Sequence, residues 1–133
     1  MRILIIDDEP SVLDILLRLL THDGHDCISS TNAKDGLSIF RTANIDIVLT
    51  DIYMPDKNGF MLLDELRSNY PDCIVVVFTG YGDVDAANTA MQKGAFAFFT
   101  KPIDFESLRK TLSLIERQIQ LAHHRTETAI LSS

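Results

Sequence analysis

Basic residues are in short supply. Twelve lysines and arginines stand against nineteen aspartates and glutamates in 133 residues, a formal net charge of −7. That balance excludes a broadly basic nucleic-acid surface and leaves room only for a local patch. Long apolar runs are lacking too: Ile3–Ile6 and Ile74–Phe78 fall far short of the roughly 20 residues a membrane helix needs. Asp7, Asp8 and Glu9 follow the first run at once, which is not the pattern of a signal peptide. Only two cysteines occur, Cys27 and Cys73, without metal-ligand spacing and both in apolar stretches. They predict reduced, buried thiols rather than a disulfide or a zinc site. No internal repeat exists, and no glycine-rich run follows the first apolar stretch to cradle a phosphate. What is left is a cytoplasmic globular protein of one domain, long enough to bury a core.

Within that domain, short apolar runs alternate with longer amphipathic windows. Ile3–Ile6, Ile45–Leu49, Cys73–Phe78 and Ala95–Phe99 are continuous and largely β-branched or aromatic, the pattern of strands buried on both faces of a parallel sheet. A more polar run, His25–Ser30, predicts an edge strand. Helices are expected over Ser11–Thr21, over Asn32–Thr42 with Asn32 as cap, over Phe60–Tyr70 stopped by Pro71, and over Asp83–Lys93. The last of these opens on Asp83 and closes on Gly94. A final helix begins near Asp104. Five strand–helix repeats mean an α/β sandwich, with right-handed crossovers placing helices on both faces.

Phe105, Leu108, Leu112, Ile115, Ile119 and Ala122 recur three and four apart. This heptad spacing suits a self-associating or connecting helix as well as a plain amphipathic one. Residues 1–122 form the expected domain, its last helix spanning about 104–122. Residues 123–133 read as a flexible tail or the start of a linker to a missing output domain.

In an open α/β sheet the functional crevice lies beyond the carboxyl ends of the strands. Asp7, Asp8 and Glu9 stand there after the first strand, Asp51 after the third, Thr79 after the fourth and Lys101 after the fifth. If the first and third strands are neighbours, Asp7, Asp8 and Asp51 share a pocket with Thr79 and Lys101 on its rim. Two like charges 4 Å apart repel by about 4 kcal/mol at an effective dielectric near 20. Three carboxylates against one ammonium therefore demand a proton or a cation, and hard oxygen ligands suit Mg²⁺ or Mn²⁺. Helix capping could occupy Asp8 or Glu9 but reaches neither Asp51 nor Lys101. A carboxylate beside a divalent cation, a lysine and a hydroxyl suits phosphoryl transfer, with Asp51 as nucleophile and an acyl phosphate as product.

Four stretches, Ile3-Leu4-Ile5-Ile6-Asp7-Asp8-Glu9, Asp51-Ile52-Tyr53-Met54-Pro55-Asp56-Lys57-Asn58-Gly59, Phe78-Thr79-Gly80-Tyr81-Gly82 and Thr100-Lys101-Pro102, occur in this order. Together they resemble the receiver domain of two-component response regulators over roughly Arg2 to Ile115. The stretch from Gly80 to Ala95 looks most like receivers joined to transcriptional output domains, of the NtrC-like and FixJ-like groups. The resemblance implies a flavodoxin-like (βα)5 doubly wound parallel sheet in strand order 2-1-3-4-5, with an extended C-terminal helix. It implies that Asp51 accepts a phosphoryl group from a histidine kinase or phosphotransfer protein. Asp8, Asp51 and the backbone carbonyl of Tyr53 would ligate Mg²⁺, and Asp7 would act mostly through water. Thr79 and Lys101 would contact the phosphoryl group, Lys101–Pro102 would be cis, and Phe98 would be the aromatic switch. Homodimerisation is expected through the fourth helix, fifth strand and fifth helix. Such a domain catalyses only its own phosphorylation and dephosphorylation; it binds no nucleic acid itself and no membrane.

Tyr53 and Tyr81 flank the acceptor and threonine motifs, where they are surface aromatics or shields of an acyl phosphate from water. Gly59 suits a tight turn before the third helix. His22, His25, His123 and His124 fit no metal or relay arrangement, and Met54 and Met61 are expected to pack in or near the core. The competing enzyme class is a Mg²⁺-dependent phosphatase with an aspartyl nucleophile, but that class typically carries Asp-x-Asp after its first strand, where this chain has Asp7-Asp8. A flavin or nucleotide binder would need donors where the acidic loop stands.

Overall fold

Five apolar runs too short for helices pair side by side as parallel strands, and the amphipathic windows between them return the chain each time to the same edge. The computed structural model describes residues 1–80 and 84–132, with side chains as far as Arg125. The elements are β1 (Arg2–Ile6), α1 (Pro10–His22), β2 (Asp26–Ser30), α2 (Ala33–Thr42), β3 (Ile47–Asp51), α3 (Gly59–Asn69), β4 (Ile74–Thr79), α4 (Val84–Gln92), β5 (Ala97–Thr100) and α5 (Phe105–Ser132). The sheet order is β2-β1-β3-β4-β5, all parallel, as the resemblance implied. Because β2 lies to one side of β1 and β3 to the other, right-handed crossovers send α1 to one face and α2 to the opposite one.

Residues 1–102 and residues from Ile103 onward are two compact units. In the first, Leu4, Ile6, Val48, Val75 and Val77 form one side of the sheet, covered by Ala33 and Leu37 of α2, Leu62, Leu63 and Leu66 of α3, and Ala90 of α4. Ile3, Ile5, Ile47, Leu49, Val76 and Phe78 alternate with these and are equally buried. Helix α1 contacts β1 and β2 and buries Leu13, Leu16 and Leu20. β2 is the edge strand its polarity suggested.

Two strands start two residues later than their apolar runs. β3 begins at Ile47 because Asp46 is committed to Arg2: the Asp46 carboxylate accepts the Arg2 amide at 2.7 Å and the Asp46 amide donates to the Arg2 carbonyl at 2.9 Å. The shift makes Asp51 the last residue of β3 rather than a loop residue. β5 begins at Ala97 because Gly94, at φ +95°, turns the chain out of α4 and the Ala95 amide donates to the Ala90 carbonyl. The Asn32 cap is present, accepting the Asp35 amide at 2.8 Å. The expected cap Asp83 lies outside the described residues. Cys27 and Cys73 are free and half-buried, and burial pushes the Cys73 thiol up to about 11.

The second unit is α5. Asp104 caps it, accepting the Glu106 amide at 3.1 Å and the Ser107 hydroxyl at 2.9 Å. The helix does not stop near Ala122: it continues through the segment expected to be a tail and ends at Ser132. No proline or glycine occurs from Phe105 onward, so nothing in the chain breaks it.

Gly59 has a different role from the expected turn. A Cβ on it would lie 2.4 Å from the Asp51 carbonyl oxygen and 2.7 Å from the Ile52 Cα, so α3 starts in direct contact with the end of β3. Backbone cannot swing aside as a side chain can. Gly59→Ala is expected to cost about 1–3 kcal/mol in urea unfolding with an unchanged m-value; wild-type stability would mean that α3 shifts freely.

Candidate functional site

The parallel sheet brings the carboxyl ends of β1, β3, β4 and β5 to one rim. Asp7 follows β1, Asp51 and Thr79 end β3 and β4, and Lys101 follows β5. Asp7, Asp51 and Thr79 are buried, whereas Asp8 and Glu9 are exposed. Lys101 reaches across the rim: its Nζ lies 2.8 Å from Asp7 Oδ2, 2.9 Å from Glu9 Oε1 and 2.9 Å from Asp51 Oδ2. Its amide donates to the Thr79 carbonyl at 2.8 Å, and the Lys101–Pro102 bond is cis as expected. The ammonium also sits 5.6 Å from the centre of the Phe78 ring, within cation–π range.

Burial by itself would lower the Lys101 pKa. The close carboxylates of Asp51, Asp7 and Glu9 outweigh that and raise it, so the side chain stays charged. The opposite balance holds at Asp7. Desolvation dominates there and raises its pKa, in spite of the Lys101 ammonium and the Glu9 amide donating to Oδ1 at 2.8 Å. Asp51 is oriented from both sides: Oδ1 accepts the Tyr53 amide at 3.2 Å and Oδ2 accepts from Lys101.

Asp7, Asp8, Glu9 and Asp51 each offer one carboxylate oxygen, all within 4.8 Å of one another. Three of these four acids share the Lys101 ammonium. Asp7 Oδ2 is buried and makes no hydrogen bond of acceptable geometry, its approach to Lys101 being ionic only. A buried, unsatisfied carboxylate oxygen in an all-oxygen donor set is the chemistry that a hard divalent cation satisfies, so these residues fit Mg²⁺ or Mn²⁺. An open cleft of about 610 Å³ gives access, lined by Asp8, Glu9, Asp51, Tyr53, Thr79, Gly80 and Lys101. Tyr53 is 44% exposed in its wall; Tyr81 lies outside the described residues. Phe98 is not in this cleft. It is half-buried on β5 beside Val77, packed against the cluster under α2, α3 and α4.

The structure thus gathers Asp7, Asp8, Asp51, Thr79, Lys101 and Tyr53 at one rim and sets Phe98 apart on the same sheet. Sequence reasoning placed Glu9 in the acidic run after β1 but missed it as a partner of Lys101. It is the N-cap of α1 by backbone conformation, yet its side chain makes no capping bond. The signal was available, as the third acid in a run placed directly after a strand. Phe78 beneath the lysine was missed as well, although it immediately precedes Thr79.

Because Asp7 binds its proton more tightly in the fold than in an unfolded chain, its contribution to stability is present below its unfolded pKa and lost as pH rises through the folded one. At neutral pH without divalent cation, Asp7 opposes folding. Asp7→Asn should therefore raise the urea midpoint at pH 7 in chelator, with the gain shrinking toward pH 4. A lowered midpoint would mean that the ion pair with Lys101 outweighs desolvation.

Residues 3–113 match the response regulator receiver domain family. The DNA-binding transcriptional regulator NtrC of Proteus hauseri is 37% identical over 123 residues, which is 92% of this chain and 25% of that protein. The response regulator protein PilR of Pseudomonas aeruginosa is 33% identical over 126 residues, 95% of this chain and 28% of that one. The chain therefore spans about a quarter of the length of these curated relatives. Among solved structures, a response regulator receiver domain protein from Clostridium thermocellum superposes with a TM-score of 0.85 at 34% identity, covering 91% of this chain and 98% of that one. With the family matched over residues 3–113 and both the relatives and the fold in agreement, the chain belongs to the response regulator receiver domain family.

Proposed function

We propose that this receiver domain is the phosphoacceptor switch of a cytoplasmic two-component system and that Asp51 takes the phosphoryl group from a histidine kinase or phosphotransfer protein. One observation carries the reading: the Asp51 carboxylate lies at the mouth of an open cleft with Lys101 Nζ 2.9 Å from one oxygen and the Tyr53 amide on the other. An oxygen of Asp51 attacks phosphorus, the P–O bond forms as the P–N bond to the donor imidazole breaks, and the imidazole takes up a proton. Asp8 and Asp51, with the Tyr53 carbonyl, would hold Mg²⁺, and Asp7 would act through water. When bound, the cation neutralises charge developing on the phosphoryl oxygens. Lys101 does the same from the other side, exchanging a carboxylate contact for a phosphoryl oxygen, and the Thr79 hydroxyl donates to a second oxygen.

The acyl phosphate leaves about two negative charges where Asp51 had one. That change biases a two-state arrangement of Thr79 and Phe98, and the domain reports it to an output, transcriptional in kind as in NtrC. Self-association is the means. Helix α4 exposes Val84 and Met91 seven residues apart, and α5 exposes Leu114 and Leu121 at the same interval, each pair a short apolar stripe on one helix. The α4, β5 and α5 elements would meet their counterparts in a second copy.

Incubated with Mg²⁺ and acetyl phosphate, the wild type should gain a single phosphoryl adduct by intact mass and Asp51→Asn none. An adduct of equal yield on Asp51→Asn would remove Asp51 as the acceptor. In sedimentation velocity the beryllofluoride-treated protein should shift toward dimer; a monomer with and without beryllofluoride would remove the self-association reading.

A further inference from the structure

The loop from Ile52 to Asn58 follows the acceptor directly and carries the Tyr53 amide that orients Asp51. Its two ends are fixed locally. The Gly59 amide donates back to the Ile52 carbonyl at 2.5 Å, and the Asn58 side chain accepts the Met61 amide at 2.9 Å, starting α3. Met54 holds the middle from beneath, 8% exposed within the core cluster. The crest of the loop is held differently. Asp56 extends away from α3 to the first turn of α2, where its Oδ2 accepts the Lys34 amide at 3.1 Å and its Oδ1 the Ala33 amide at 3.4 Å. Lys57, the next residue, is ion-paired with Glu65 of α3, which also faces Arg41 of α2 at 3.6 Å.

Helix α2 therefore carries two separate caps. Asn32, its own N-cap, takes the Asp35 amide. The two amides ahead of that one go to Asp56, more than twenty residues along the chain. A helix N-terminus is a fixed bundle of donors with partial positive charge, so a carboxylate bound to it is held in position as well as in charge. Some burial works against ionisation, but the backbone hydrogen bonds prevail and Asp56 is held below the usual carboxylate range. The contact binds the acceptor loop to an element that contributes nothing else to the cleft.

We infer that Asp56 is a positioning residue: by clamping the crest of the acceptor loop to the first turn of α2, it holds Tyr53 where its amide orients Asp51 and its carbonyl can ligate the divalent cation. The inference rests on the phosphoacceptor reading above. It separates Asp56 from a plain helix cap, because a cap stabilises α2 alone while a clamp also sets the metal site, some five residues back along the chain.

The test uses Mn²⁺ binding by electron paramagnetic resonance on the full chain, together with amide hydrogen exchange at Ala33 and Lys34. Asp56→Ala should weaken Mn²⁺ binding about tenfold, the lower end of what residues holding metal ligands in place contribute, and should lose protection at both amides. Asp56→Asn, which keeps an acceptor oxygen, should recover most of the affinity. Asn32→Ala removes a cap from the same helix without touching the loop, and should lower the melting temperature while leaving Mn²⁺ affinity unchanged. Wild-type affinity in Asp56→Ala, or an equal loss in Asn32→Ala, would overturn the clamp and leave the site reading standing. A wild type that binds no Mn²⁺ would overturn the site reading and the clamp with it.

Discussion

One ammonium group organises the carboxyl edge of this sheet. Lys101 Nζ lies within 2.9 Å of oxygens from Asp7, Glu9 and Asp51, residues delivered by β1, the start of α1 and β3. Without that charge the acidic rim would repel itself, and each close pair of carboxylates would cost on the order of 4 kcal/mol at an intermediate dielectric. With it, the rim is held together yet still carries surplus negative charge. The lysine is fixed in turn by its amide on Thr79 and by the Phe78 face beneath it. So the strand order, which makes β1 and β3 neighbours and places β4 and β5 beyond them, is also the wiring of the site.

The second constraint is spatial. The start of α3 presses so closely on the end of β3 that Gly59 has no room for a side chain. A displacement of the Asp51 backbone would thereby reach α3, and through the proposed Asp56 clamp also α2. Asp51 is thus linked by contact to two helices on one face of the sheet, while Phe98 packs against the same cluster from β5. The sheet face under α2, α3 and α4 is the physical route by which an added charge could be felt away from the cleft.

Much of this could be read from residues alone. Continuous β-branched or aromatic runs gave four of the five parallel strands because they leave no alternation to confuse them with anything else, and polarity marked β2 as the edge. The site residues were legible because open α/β sheets concentrate function at strand ends, so Asp51, Thr79 and Lys101 stood out by position. What stayed hidden depended on contacts between distant segments. The onset of β3 turned on an Asp46–Arg2 contact, and the Asp56 clamp joins two loops that no periodicity links. Glu9 was left without a role because a residue before a helix has two uses for a carboxylate, and only geometry tells them apart. The length of α5 was underestimated for another reason: polar composition past Ala122 suggested a tail, whereas the lack of any breaker was the stronger signal.

That uninterrupted last helix has a geometric implication. At 28 residues and 1.5 Å of rise per residue it is about 42 Å long, and each residue turns the chain by about 100°. Anything joined beyond Ser132 without a break would inherit an angular phase as well as a distance. Adding or deleting one residue there would swing it to another side of the helix, while a change of seven would return it nearly to register. For anything so joined the helix would be a dial as much as a spacer, its orientation written in a residue count rather than in any one side chain.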